Sequence, residues 1–211
     1  MKKFILPLLV LLFVGSLYAV ESAPSEVVGY VKYDLVAGNN TIALPMDQPY
    51  NLASELGDEI GASAVAYFNS ASQEWNSIVE FPWGGWSGDF SISNGQALLL
   101  TTGTAGTFYS LGAMPETIPS YNLVAGNNMI MLPLNKSDLI LASLIGADIA
   151  ASAVAIFNSS TQVWESANST PFGWTGDFDT AIGDPLWIST DAAGTWPAPA
   201  TRAIQGINSR N

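Results

Sequence analysis

Apolar positions along this chain fall into short runs of strand length, punctuated by clusters of Gly, Asn, Ser and Thr. Val31–Leu35 and Ile42–Leu44 flank Gly38-Asn39-Asn40, residue types that tolerate positive φ, so the spacing predicts a hairpin, and Gly126-Asn127-Asn128 repeats the signal. Leu52, Leu56 and Ile60 recur every four residues, as do Leu141, Ile145 and Ile149, marking the buried stripe of one short helix in each copy. Asn51 and Asp138 are the expected N-caps, and Gly61 the stop of the first helix. Ala64–Phe68 and Ala153–Phe157 read as strands that turn back at Asn69–Ser72 and Asn158–Thr161, with Trp75 and Trp164 opening the returning strands. Ala97–Thr101 is expected to pair with Thr107–Ser110 through a Gly-containing turn, and Leu186–Ser189 with Thr195-Trp196.

The pattern is one unit written twice. Tyr33–Pro45 and Tyr121–Pro133 agree at 10 of 13 positions at an offset of 88, and Leu52–Ser70 agrees with Leu141–Ser159 at 13 of 19 positions at an offset of 89. Trp86-Ser-Gly-Asp-Phe90 then pairs with Trp174-Thr-Gly-Asp-Phe178, and Gly95 with Gly183, at 88 again. A period of this length exceeds the roughly 20–50 residues of a solenoid repeat and has the size of a small domain. The expected architecture is mainly β: two tandem homologous β-barrel or β-sandwich domains, over residues 30–112 and 119–199, each with one short helix, followed by a tail over 200–211.

Met1-Lys2-Lys3 followed by the apolar run Phe4–Leu17 has the layout of a secretory signal peptide, residues 1–19, with cleavage near Ala19. As a helix, about 14 residues reach about 21 Å, short of a hydrocarbon core of about 30 Å, which argues against a transmembrane anchor. Removing the leader leaves four basic residues against 18 acidic ones. That balance argues against nucleic acid as a partner. The chain contains neither His nor Cys, which excludes Ser-His-Asp and Cys-His nucleophile systems, disulfides and the usual zinc, haem and iron-sulfur ligand sets. Charged residues make up only 11% against roughly 25% in an ordinary soluble domain, so neutral Ser, Thr, Asn and Gly must supply the solvated surface, as in an extracellular β-rich protein.

With the leader, Val27-Val-Gly-Tyr-Val31, the Leu-Val-Ala-Gly-Asn segments and the Trp-Ser/Thr-Gly-Asp-Phe segments, the chain resembles a group of uncharacterised secreted bacterial β-rich repeat proteins. The resemblance implies secretion and a β-rich fold. Its motifs concern packing and turns and bring no activity with them.

Candidate chemistry is sparse. Asp89 and Asp177, one in each copy, read as turn residues accepting backbone N–H groups. Calcium, bound through oxygen, is the one cofactor the acidic composition admits, but the loop of alternating Asp residues that marks a calcium motif is missing, so no metal site is assigned. Trp75, Trp164, Trp86 and Trp174 are paired between copies and are expected in the core. Trp83 and Phe172 sit beside Gly in predicted loops and are candidate ligand-binding or interface residues. Val27, Val31, Tyr33 and Leu35 share one face of a predicted strand that either closes its own domain or pairs with a neighbouring copy, because the matching stretch, Pro115–Pro119, carries two prolines. The leading expectation is a secreted, non-enzymatic structural or adhesive protein acting by association at the cell exterior, with itself by strand pairing or with a cell-surface glycan. The alternative is a carbohydrate-binding protein using Trp83 and Phe172. A carboxylate hydrolase using Asp177 with Asp179 or Asp184 comes third.

Overall fold

A computed structural model describes residues 28–201. The predicted leader, Val27 and residues 202–211 of the predicted tail lie outside the described residues. The first half comprises β1 (Val28–Leu35), β2 (Gly38–Ala43), α1 (Ala53–Ile60), β3 (Ala62–Asn69), β4 (Glu74–Val79), β5 (Ala97–Thr102) and β6 (Gly106–Ala113). The second comprises β7 (Thr117–Ile118), β8 (Tyr121–Leu123), β9 (Gly126–Met131), α2 (Ala142–Ile149), β10 (Ala151–Asn158), β11 (Val163–Thr170), β12 (Gly173–Thr175), β13 (Pro185–Thr190), β14 (Gly194–Trp196) and β15 (Ala200–Thr201).

The fold is mainly β, and its two larger sheets have the same antiparallel order: β2-β5-β3-β4 in the first half and β9-β13-β10-β11 in the second, where β12 extends the edge. β1 pairs with β6, β8 with β14 and β7 with β15 in separate ribbons. None of these sheets closes into a barrel. The ladder that would close each one is interrupted where β1 gives way to β2 and β5 to β6, so edges remain.

Those interruptions also correct the expected hairpins. Gly38-Asn39-Asn40 and Gly126-Asn127-Asn128 open strands β2 and β9, whose partners are β5 and β13; β1 pairs with β6, and β5 with β2 and β3. The reason lies in Asn40, whose buried side chain takes over the backbone pairing at the corner. The Val36 N–H donates to Asn40 Oδ1 at 2.8 Å, while Nδ2 donates to the carbonyls of Val36 and Gly38 and to Thr102 Oγ1 at 2.9, 3.1 and 3.0 Å. With these groups satisfied internally, the chain leaves one ladder and enters the next without folding back on itself. Asn128 repeats the device on Val124, at 2.9 and 3.0 Å.

The strand at the N-terminal edge has an internal counterpart after all. Thr117–Ile118 and Tyr121–Leu123 follow the course of β1 in the second half, paired with β15 and β14. Pro119 and Pro197, which cannot donate to a ladder, split this ribbon into two short pieces.

Alternation along each strand divides the sheets into two apolar faces. On one face Val65, Tyr67, Ile42, Leu98 and Leu100 pack with Leu56 of α1 and with Tyr33, Leu35 and Phe108 of the β1–β6 ribbon. Val154, Ile130, Leu186 and Ile188 pack likewise with Ile145 of α2 and with Leu123 and Trp196. The opposite faces meet each other: Ala43, Phe68 and Ala97 pack against Met129 and Met131, with Tyr121 and Trp187 at the margin.

Polar contacts across this junction are reciprocal. Tyr33 Oη donates to the carbonyl of Gly183 at 2.8 Å, and Tyr121 Oη to that of Gly95 at 2.7 Å. Gln73 grips the backbone of Asn127, donating to its carbonyl at 2.7 Å and accepting its N–H at 2.8 Å. Gln162 grips Asn39 in the same way, at 2.8 and 2.9 Å. Each matched residue therefore finds the same partner in the other half, the self-complementary arrangement of an isologous interface.

The helices end in the left-handed region, α1 at Gly61 with φ 70° as expected and α2 at Ala150 with φ 62°. Their N-caps are Leu52 and Leu141, one residue beyond Asn51 and three beyond Asp138, and neither leucine offers a capping side chain.

Comparison of the two helix ends yields a first prediction. Ala150 holds a conformation that costs a residue with a Cβ about 1–2 kcal/mol, where the first copy has glycine. Ala150→Gly is therefore expected to raise stability by about 0.5–1 kcal/mol, a net figure after the greater freedom of glycine in the unfolded chain. Asn128→Ala, which strands the backbone of Val124, is expected to lower it by about 1–3 kcal/mol. Urea denaturation of the purified protein measures both.

Candidate functional site

The duplicated Trp-Ser/Thr-Gly-Asp-Phe segment is a clamp on the helix N-terminus. Since no capping side chain precedes α1, its first N–H groups are satisfied from this distant segment: Ala53 N–H donates to the Phe90 carbonyl at 2.9 Å and Ser54 N–H to Asp89 Oδ1 at 3.1 Å. Asp89 also accepts from the Ser54 hydroxyl and from the Phe90 N–H. Ala142, Ser143, Asp177 and Phe178 repeat the arrangement on α2. Trp86 lies flat against α1 at Gly57, where an added Cβ would stand 2.5 Å from the indole, and its Nε1 donates to Asp58 at 2.9 Å. Trp174 covers Gly146 in the same way.

Asp89 and Asp177 are thus helix-capping groups supplied from long range. Burial works against their charged forms, but the hydroxyl and N–H donors outweigh it and hold both carboxyls below the ordinary Asp range. Asp184 behaves oppositely: burial pushes its carboxyl up, offset only in part by the Ala181 N–H at 2.7 Å. Asp179 lies in an isolated bridge to Leu141. The three carboxylates considered for hydrolysis therefore sit in separate backbone arrangements, and among the described residues no three acidic side chains converge as a metal site would require.

Trp83 and Phe172 stand at the tips that follow β4 and β11, 81% and 100% exposed. Trp83 stacks on Phe81 with ring centroids 5.1 Å apart and planes within 7°. Val79, the last residue of β4, is four residues, about 13 Å of strand, beyond Trp75, so Trp83 lies well outside the junction. Val31 is half-buried, Tyr33 and Leu35 are buried against α1, and β1 pairs with β6 along its full length. Val28, Tyr30, Tyr109 and Leu111 of the same ribbon are exposed.

The departure with most functional weight concerns Trp75 and Trp164. Expected in the core, they are each 41% exposed and stand outside the packed cluster of the junction. Trp187 joins them. Its ring lies 5.9 Å from Trp75 at an interplanar angle of 22°, and 5.8 Å from Trp164 at 60°. Phe68 backs Trp75 and Trp187 at 5.5 and 4.5 Å, and Phe157 backs Trp164 at 5.4 Å. Trp187 Nε1 donates to Asn127 Oδ1 at 3.2 Å, which fixes the central indole. Together Trp75, Trp164, Trp187 and Ala155 line an open cleft of about 330 Å³.

Trp75 was visible in the sequence as a paired tryptophan, but Trp187 carried no such signal, since Leu99 occupies its place in the first copy. Among the described residues no helix is long and apolar enough to cross a membrane. No family model matches the sequence, and comparison with curated proteins and with solved structures finds no match to it.

The capping geometry generates the second prediction. Asp177→Asn keeps one acceptor oxygen but loses the charge, and is expected to cost about 1 kcal/mol at neutral pH. Because the folded-state pKa is lowered, this contribution is present above the ordinary Asp value of about 3.9 and is lost as pH falls through the lowered one. The stability gap between wild type and Asp177→Asn should therefore narrow in thermal melts from pH 5 downward; a gap independent of pH contradicts the assignment.

Proposed function

We propose that this chain is a secreted, non-enzymatic binding protein of adhesive or structural type, built from two tandem homologous β-rich domains and acting by association at the cell exterior. The observation that carries this reading is the tryptophan cleft. Large aromatic side chains normally disappear into a core, and two exposed tryptophans beside a third half-buried one at a junction mark a place where something else is buried. Both halves build it: Trp75 comes from the first, Trp164 and Trp187 from the second. The paired tryptophans belong to the repeat, whereas Trp187 in place of Leu99 is particular to one copy, so the described residues build such a site once. The leader supports secretion, and the resemblance to secreted bacterial repeat proteins agrees with it. A second reading, glycan binding at the domain tips, draws support from the high exposure of Trp83 and Phe172.

Sedimentation of mature protein with envelopes of the producing cells tests the two readings. Trp187→Leu introduces the residue that the first copy already accommodates, and is expected to weaken retention at least tenfold, while Trp83→Ala leaves it unchanged. Retention of Trp187→Leu at the wild-type level overturns the cleft as the binding site, and loss confined to Trp83→Ala moves the site to the tips.

A further inference from the structure

We propose that the tryptophan cleft is a receptor for a quaternary ammonium group, the trimethylammonium of a choline-type headgroup or of a trimethylated lysine. This inference rests on the cleft being the binding site and adds the class of ligand.

Three observations select the ligand. First, the lining consists of three indoles and one alanine, and the central indole N–H is already taken by Asn127. A sugar entering such a cleft meets indole N–H donors but no side-chain acceptor for its hydroxyl protons, and a primary ammonium strands three N–H donors. A quaternary ammonium carries its charge without any N–H, so nothing is left unpaired. Second, the rings adjoin one another. Trp187 neighbours both Trp75 and Trp164, at centroid distances of 5.9 and 5.8 Å with planes inclined by 22° and 60°, and all three line one cleft, so a cation held in it faces more than one indole over the roughly 6 Å within which a ring quadrupole attracts it. Third, the surrounding charge favours a cation over a neutral apolar group. Among the described residues the basic side chains are Lys32 and Lys136, paired with Asp34 and Asp148, and neither lines the cleft. The formal net charge of −12 draws cations toward a low-dielectric aromatic surface. The volume of about 330 Å³ sits at the small end of ligand sites, suited to a headgroup and too small for a folded partner element.

The test is a titration of mature protein followed by tryptophan fluorescence and calorimetry, using choline, its neutral isostere 3,3-dimethylbutan-1-ol, ethanolamine and cellobiose. Choline is expected to saturate and to bind at least tenfold more tightly than the isostere and than ethanolamine, with no saturation by cellobiose. Trp187→Leu should abolish the choline response while leaving the far-ultraviolet spectrum unchanged; the comparison of choline with its isostere is made on wild-type protein and decides the matter even if that variant misfolds. Phosphocholine and trimethyllysine as further probes separate the two sources of the group, and tighter binding of either one supports the proposal. Equal affinity for choline and the isostere, preference for cellobiose, or no saturation by choline up to 100 mM overturns it. If Trp187→Leu loses envelope retention but choline does not bind, the cleft stands as a binding site and only the ligand class falls.

Discussion

A sheet of four or five strands with two apolar faces and only one short helix to cover them cannot be satisfied within a single repeat. α1 and the β1–β6 ribbon shield one face of the first sheet, and α2 with the β8–β14 ribbon shields one face of the second. The remaining faces have nothing local to bury against, and they meet through Ala43, Ala97, Phe68, Met129 and Met131. At about 25 cal/mol per Å² of apolar surface, this mutual burial is the driving force of the junction, and the reciprocal grips of Gln73, Gln162, Tyr33 and Tyr121 fix its register. Burial pushes the two tyrosine hydroxyls well above their ordinary range, so they remain neutral donors to the glycine carbonyls they hold.

The helices depend on a different economy of polar groups. Leu52 and Leu141 leave the first turns uncapped, and the missing acceptors arrive from Asp89, Phe90, Asp177 and Phe178, more than thirty residues downstream. The same segments lay Trp86 and Trp174 over glycines that no larger residue could replace without displacing an indole. Glu55 reaches back to the N–H groups of Asn51 and Leu52 at 2.8 and 3.2 Å, and Leu144 stands at the matching position in the second copy. The duplicated motif thereby has a packing and capping role, whereas Trp75 and Trp164, also duplicated, remain exposed.

Those tryptophans occupy the rim of the junction because its packed centre is small. Trp75 of β4 and Trp164 of β11 are exposed outside the packed methionine cluster, and Trp187 adjoins both. The junction that holds the halves together is therefore also what builds the cleft. Reciprocity governs the polar clamps, yet the cleft is asymmetric: Trp187 faces a leucine counterpart and Met129 a threonine one. Function, on the reading proposed above, arises where the two copies have diverged.

The sequence alone determined the mainly β character and the two short helices with Leu56 and Ile145 buried, although Leu52, expected in the first buried stripe, stands exposed at the N-cap. These properties are local: periodicity, turn chemistry and internal repetition register them directly. Strand partners were not local. Gly38-Asn39-Asn40 looks like a hairpin because glycine and asparagine serve turns and corners equally, and only the burial of Asn40 against Val36 and Thr102 decides for the corner. Exposure of Trp75 and Trp164 was likewise invisible, since a duplicated tryptophan reads as core until the opposing sheet is in place and seen to fall short of it. Trp187 has no counterpart in the first repeat to draw attention to it, and it became a site residue only because the tertiary structure carries three indoles, from opposite halves of the chain, to one surface.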